Sequence, residues 1–203
     1  MSSFLPLFPL DVVLLPGAPL PLHIFEPRYK EMIAECLKLK TMFGVVRAQE
    51  NGLAGVGCTA EILTVTKEYE DGRLDIVTQG VNRFEVMEVN QERSFLQAEV
   101  FYLQDEPGSP SNQQLSRLLE LHNEILQLAG AVPEQASVTA DPQLSFRLAG
   151  ALPLDLDFKQ VLLGMRSEVE RVEALTTYFE NVLPKLRRTL HIRQKAGGNG
   201  HGT

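Results

Sequence analysis

The apolar pattern changes its period partway along the chain, and that change constrains the fold more than any single motif. Between Met42 and Leu103 the segments MFGVVRA, AEILTVTKEYE, RLDIVTQG, RFEVMEV and FLQAEVFYL are rich in β-branched and aromatic residues and partly alternate. That is the pattern of half-buried strands. The run DEPGSPSN at Asp105–Asn112 reads as a linker. Beyond it the period is helical throughout. Leu115, Leu118, Leu119, Ile125, Leu126 and Ala129 form one stripe. Val169, Val172, Leu175, Phe179, Val182, Leu183, Leu186 and Leu190 form another, on a last helix that Pro184 should kink. The chain therefore reads as α+β, strands first and helices second. The expected divisions are a β-rich subdomain over 1–104 with one helix, a linker over 105–112, a helical bundle over 113–195 and a disordered tail over 196–203.

The first 27 residues carry six of the twelve prolines. Proline fixes φ and removes a ladder donor, so short edge strands and turns are expected there. Val12–Leu15 is a candidate strand and Pro16-Gly17 a turn, after which Leu20, Leu22 and Ile24 alternate with Pro21, His23 and Phe25. A helix should follow, with Glu26 as its cap, Pro27 in its first turn, and Tyr29, Met32, Ile33, Cys36 and Leu37 on its apolar face.

Asp71-Gly72 predicts a two-residue hairpin turn, because positive φ is needed there. Gly52, Gly55 and Gly57 mark a loop and a bulge ahead of another strand. Six or seven short strands with one early helix suggest a closed or partly closed barrel. In the second half Asp141-Pro142 should open a helix through Leu144, Leu148 and Leu152. Asp157 with Gln160, and Ser167 with Glu170, read as capping boxes.

Composition narrows the chemistry. The net charge is −7, the wrong sign for a general nucleic-acid coat, although residues 181–203 hold five basic residues and no acid. That basic stretch reads first as a complement to a helix C-terminus, and second as a patch for nucleic acid or acidic protein. The proline-broken start is no signal peptide, and no run reaches the ~18 apolar residues of a membrane span. The expected location is the cytoplasm, with Cys36 and Cys58 as free thiols.

No Gly-Lys dipeptide, GxGxxG, GxSxG or HExxH occurs. His23, His122, His191 and His201 have no zinc-like spacing. No catalytic residue, cofactor or metal ligand is expected.

Two local features stand out. In HIFEPRY the expected binding or structural residues are His23, Phe25, Glu26, Arg28 and Tyr29. A cation in the first turn opposes the helix dipole, so Arg28 needs a reason. The first is an ion pair that locks the helix to the barrel, and the second is a grip on an anion or a peptide carboxylate. Arg83-Phe84 after Gly80 is either a turn leading into a strand or a ligand-facing pair. His122 reads as a histidine at the edge of a core.

LPLFPLDVVLLPGAPLPLHIFEPRYKEMI resembles the opening signature of the Lon protease N-terminal substrate-binding domain. The resemblance continues at FGVV, at the Gly57–Val65 strand, at DGRLDIVTQGVNRFEV and at SFRLAGALPLDLDFKQVLLGM, covering about residues 3–190. It implies a PUA-like β-barrel of pseudo-six strands followed by a helical bundle. It also implies a non-catalytic module that recognises protein or unfolded polypeptide segments in proteolysis or protein quality control. Lon's ATPase and Ser-Lys protease motifs are missing, so a stand-alone member without those activities is expected. RNA or nucleotide binding by a PUA-like barrel is the alternative; the charge argues against it. A third reading is a small-molecule pocket where barrel and bundle meet. The sequence sets no oligomeric state.

Overall fold

The computed structural model describes residues 4–132 and 141–198, with side chains through Leu190. In order, the elements are β1 (Leu5–Leu10), β2 (Pro19–Ile24), α1 (Pro27–Leu39), β3 (Phe43–Gln49), β4 (Gly52–Leu53), β5 (Val56–Glu68), β6 (Leu74–Asn90), β7 (Gln97–Tyr102), α2 (Asn112–Leu128), α3 (Leu144–Gly150), α4 (Leu156–Gly164) and α5 (Glu168–Gly198). They fall into two compact units. The first holds residues 1–105 and 146–166, and the second 106–145 and 167–203.

The first unit is built on a closed ring of five strands in the order β1-β7-β6-β5-β3, shut by parallel pairing of β1 with β3 from Leu7↔Gly44 to Leu10↔Arg47. The long strand β6 makes the closure possible. Its first half pairs with β2 (Pro19↔Gln79 to Ile24↔Leu74) and its second half with β7 (Phe84↔Tyr102 to Asn90↔Gln97). The two segments expected as separate strands, RLDIVTQG and RFEVMEV, are thus one strand of 17 residues.

Glycine at position 80 explains how β6 continues where its partners change. The Leu15–Ala18 turn lies directly on it: Gly17 N–H donates to Gly80 O at 2.8 Å, and Gly80 N–H donates to Ala18 O at 3.0 Å. A Cβ at Gly80 would stand 2.2 Å from Leu15 O. This contact also explains why Val12–Leu15 is a loop rather than the expected strand. Leu14 and Leu15 are buried as a plug against Gly80 of β6, and neither is in a strand.

Phe84 follows on β6, fully buried with Leu5, Leu7, Val46, Ala54 and Ala98. A Cβ at Gly57, its cross-strand partner, would lie 2.5 Å from the Phe84 ring, so the glycine leaves the space that the ring fills.

The β5–β6 hairpin is a three-residue loop, not the expected two-residue turn. Gly72 N–H donates to Tyr69 O and Tyr69 N–H donates to Arg73 O, both at 2.9 Å, with Gly72 at φ +77°. The positive φ falls where the sequence placed it, but in the turn-plus-bulge form of hairpin.

Helix α1 begins as expected, with Glu26 at the cap and Pro27 in the first turn. It buries Tyr29, Met32, Ile33 and Cys36, while Leu37 stays outside.

The helical half departs from the expected bundle over 113–195. Helix α4 and most of α3 belong to the first unit. Arg47 Nη1 donates to Asp157 at 2.5 Å, and Gln160 Nε2 donates to Val56 O at 2.9 Å. The N-cap of α4 is Asp155, which accepts from the N–H groups of Asp157 and Phe158, so the expected Asp157 box is displaced by two residues.

Among the described residues, the second unit is built chiefly on the helices α2 and α5. Gln114 reaches Glu173, Arg117 reaches Glu180 and Glu124 meets Arg187. Partners rise together along both helices, so α2 and α5 run parallel. Parallel neighbours need a long return connection, and residues 129–167 supply it.

Ser111 starts α2 with a full capping box to Gln114, so helix begins at Asn112, the last residue of the expected linker. Ser167 Oγ accepts from Glu170 N–H at the start of α5, as its sequence suggested. Pro184 lies inside α5 without ending it, and the helix continues through Gly198 into the expected tail. Residues 199–203, including His201, lie outside the described residues, as does the side chain of His191.

Candidate functional site

The structure sends the seven residues singled out in the sequence to four different places. His23 and Phe25 lie at the surface. The His23 ring Nδ1 is 2.5 Å from Asp75 Oδ1, and Tyr69 OH donates to Asp75 Oδ2 at 2.9 Å. Phe25 stacks on His23 at 5.9 Å between centroids, and Tyr69 meets the same ring edge-on at 5.7 Å. Lys67 and Arg73 lie 4.4 and 4.7 Å from the Tyr69 centroid. The hydrogen bonds from His23 and Tyr69 hold the Asp75 carboxyl below the usual carboxylate range. Asp75 and Tyr69 escaped the sequence reading because His23 faces Asp75 only through the β2–β6 register, across 52 residues.

Glu26 and Arg28 form a second, local group. Arg28 Nε donates to Glu26 Oε2 at 2.9 Å, and its guanidinium carbon sits 4.6 Å from the Tyr29 centroid. The pair is exposed, so it does not lock α1 to the barrel as expected. Its reason is local: the cap carboxylate and an aromatic face offset the dipole.

Tyr29 and Phe84 are core residues. Tyr29 packs on Phe8 with centroids 4.0 Å apart, and burial pushes its phenol up. Arg83 is buried at 5% exposure and lies within β6 rather than in a turn. Its Nη1 donates to Leu163 O at 2.9 Å and Met165 O at 2.5 Å, and its Nη2 pairs with Asp105. It supplies donors to carbonyls at the end of α4, which a helix C-terminus leaves open.

Both thiols are buried. Burial pushes the Cys58 thiol up to about 12 and raises that of Cys36 as well. The thiolate is the reactive form, so neither cysteine is set up as a nucleophile. At about pH 8 the folded chain should take no iodoacetamide label while the urea-unfolded chain takes two. Labelling of Cys58 in the folded chain would contradict this. Among the described residues no group of three His, Cys, Asp or Glu side chains could hold a metal ion, and no helix is long and apolar enough to cross a membrane.

The sequence reading also missed an open feature of the first unit. β5 pairs with β3 only from Cys58 to Ala60, whereas its pairing with β6 runs on to Glu68. Among the described residues no strand covers the outer edge of 61–68. Leu63 and Val65 there are 53% and 37% exposed. An open groove of ≈1130 Å³ adjoins the start of this edge, lined among others by Glu61 and Ile62 of β5 and by Leu37, Leu39 and Met42.

The fold of this barrel unit and the helices that follow it is that of domains found at the N-terminus of Lon proteases. The crystal structure of a Lon N-terminal domain protein from Xanthomonas campestris matches with a TM-score of 0.71 at 26% identity, covering 87% of this chain and 98% of that one. The N-terminal domain of Mycobacterium avium complex Lon protease has the same fold, with a TM-score of 0.72 at 19% identity over 88% of this chain. The chain belongs to the ATP-dependent protease La (LON) substrate-binding domain family, whose model matches residues 4–181.

Lon protease of Cytophaga hutchinsonii is 28% identical over 94% of this chain and 26% of its own length. That of Parabacteroides distasonis is 29% identical over 66% of this chain and 17% of its own. The chain spans about a quarter or less of these relatives, and the matched region is their substrate-binding domain, not the catalytic part.

Proposed function

We propose that the chain recognises extended segments of other proteins, without bond-making chemistry of its own, in cytoplasmic proteolysis or protein quality control. One observation supports this reading beyond the family: among the described residues no strand lies beside the edge of β5 at 61–68, and a groove with both apolar and charged lining adjoins its start. An unpaired edge presents a row of backbone donors and acceptors that only another extended chain satisfies, and a neighbouring groove accepts its alternate side chains. The opposite edge, on β2, carries Pro19 and Pro21 and offers fewer donors.

Fluorescence anisotropy with a short labelled peptide of alternating valine and threonine tests the reading. Wild type should bind, and Leu63→Glu with Val65→Lys should weaken binding about tenfold while leaving stability unchanged, since both side chains are exposed. Equal binding by the variant, or none by wild type, would remove this site.

The RNA-binding alternative draws on fold analogy and the basic end of α5. Arg187 there is already held by Glu124, and the chain carries −7 overall.

A further inference from the structure

Arg83 accounts for more than the end of α4. The chain passes from the first unit to the second after Asp105, returns before Phe146 and leaves again after Arg166. The Arg83 guanidinium touches the first-unit side of all three passages. It pairs with Asp105, lies 5.2 Å from the Phe146 centroid and donates to Met165 O at 2.5 Å. Arg166 Nε adds a bond to Gln104 O at 3.0 Å between the first and third passages, and Leu103 N–H donates to the Arg83 carbonyl at 2.9 Å. These contacts use the particular chemistry of a guanidinium. A guanidinium offers five donors in a rigid plane, accepts an aromatic face against it and keeps its charge when buried. A lysine ammonium has three donors on a flexible stem but neither the rigid planar fork nor a flat face to lay against the Phe146 ring.

We infer that Arg83 makes the three passages one cooperative unit, so that they open together or not at all. Segments far apart in sequence ordinarily open with separate free energies. Here three of them, about 40 and 20 residues apart along the chain, share one buried group, and releasing it removes a contact from all three at once.

Native-state hydrogen exchange of the full chain tests this. The readouts are the amides of Leu103, Ala151 and Met165, one for each passage, bonded to Arg83 O, Arg147 O and Leu162 O. The references are the amides of Leu7 and Val86, bonded to Leu96 O and Gly55 O in the barrel. In Arg83→Met the three passage amides should speed up together by about tenfold or more while the two references hold. Acceleration of Leu103 alone, or of all five amides equally, would overturn the inference. The first outcome would make Arg83 a local strand residue, and the second an ordinary part of the core. Asp105→Asn alters one third-exposed partner and keeps the core intact. It should produce a smaller acceleration that still reaches Ala151 and Met165. A change confined to Leu103 in that variant would equally sink the proposal, whether or not Arg83→Met folds.

Discussion

Gly80→Val is expected to cost about 4 kcal/mol or more and to leave little folded protein, beyond the ~1–3 kcal/mol usual for an overpacked core. The difference lies in what the new side chain meets. A flexible neighbour could swing aside, but the obstacle is the Leu15 carbonyl oxygen at 2.2 Å, with its carbon at 3.0 Å. Moving that carbonyl displaces the turn whose Gly17 and Ala18 exchange hydrogen bonds with Gly80. It also unseats Leu14 and Leu15 from the core. Gly55→Ala is the control, because a Cβ there has no atom within 4 Å. It should stay within about 0.5 kcal/mol of wild type. Urea unfolding of the two variants separates the cases, and a Gly80→Val midpoint close to wild type would refute the close approach.

The second large effect belongs to the helical unit. Arg171 is fully buried and Glu168 nearly so. Arg171 Nη2 lies 2.7 Å from Glu168 Oε2, while Ser145 donates its N–H and hydroxyl to the same carboxylate at 2.9 and 2.6 Å. Arg171→Leu should cost about 3–5 kcal/mol, because it strands a buried carboxylate. Replacing Glu168 and Arg171 together with leucine should recover most of that loss, since apolar packing replaces two desolvated charges.

The pH dependence has a definite sign. Burial raises the Glu168 pKa above its usual value despite the bonds from Ser145 and Arg171, and removing Arg171 raises it further. The folded state of Arg171→Leu therefore holds the proton more tightly than the unfolded chain. Its residual stability is greatest below the unfolded-state pKa and falls as pH rises through the folded-state one. Unfolding free energies measured across that range check this, and a variant that gains stability as pH rises would contradict it.

Some of this was legible from local pattern. The strand period through 42–103 and the helical period after 112 gave the α+β class because each is a property of neighbouring residues. The caps at Glu26 and Ser167 and the positive φ at Gly72 were equally local. The buried network was partly readable. Arg171 stands four residues before Leu175 and three after Glu168, a charge on the apolar face of α5 that needed a partner. Ser145, the third member, was not readable, because it comes from another helix 23 residues earlier.

The candidate residues show the same division. HIFEPRY was a correct sign of an unusual local structure, yet its members separated. Alternation along β2 turned His23 out toward Asp75, and the helical period turned Tyr29 into the core. The resemblance to the Lon substrate-binding domain came from the order of several motifs along the chain, and the family match over 4–181 agrees with it.

By itself the sequence determined the order of strands before helices, the caps at Glu26 and Ser167 and the positive φ at Gly72, and it carried the resemblance with which the family match agrees. Only the tertiary structure decided that β6 is one strand with two partners on one edge, and that α4 joins the barrel unit. It also showed that Arg83 is buried against Asp105 and Met165, and that among the described residues no strand lies beside 61–68 of β5. The physical reason is range. Propensity, periodicity and capping act over a few residues, where the sequence can be read directly. Register, burial and the choice of a buried partner depend on groups far apart along the chain, 23 residues for Ser145 and Glu168 and 110 for Arg47 and Asp157, and are set only when the whole core packs at once.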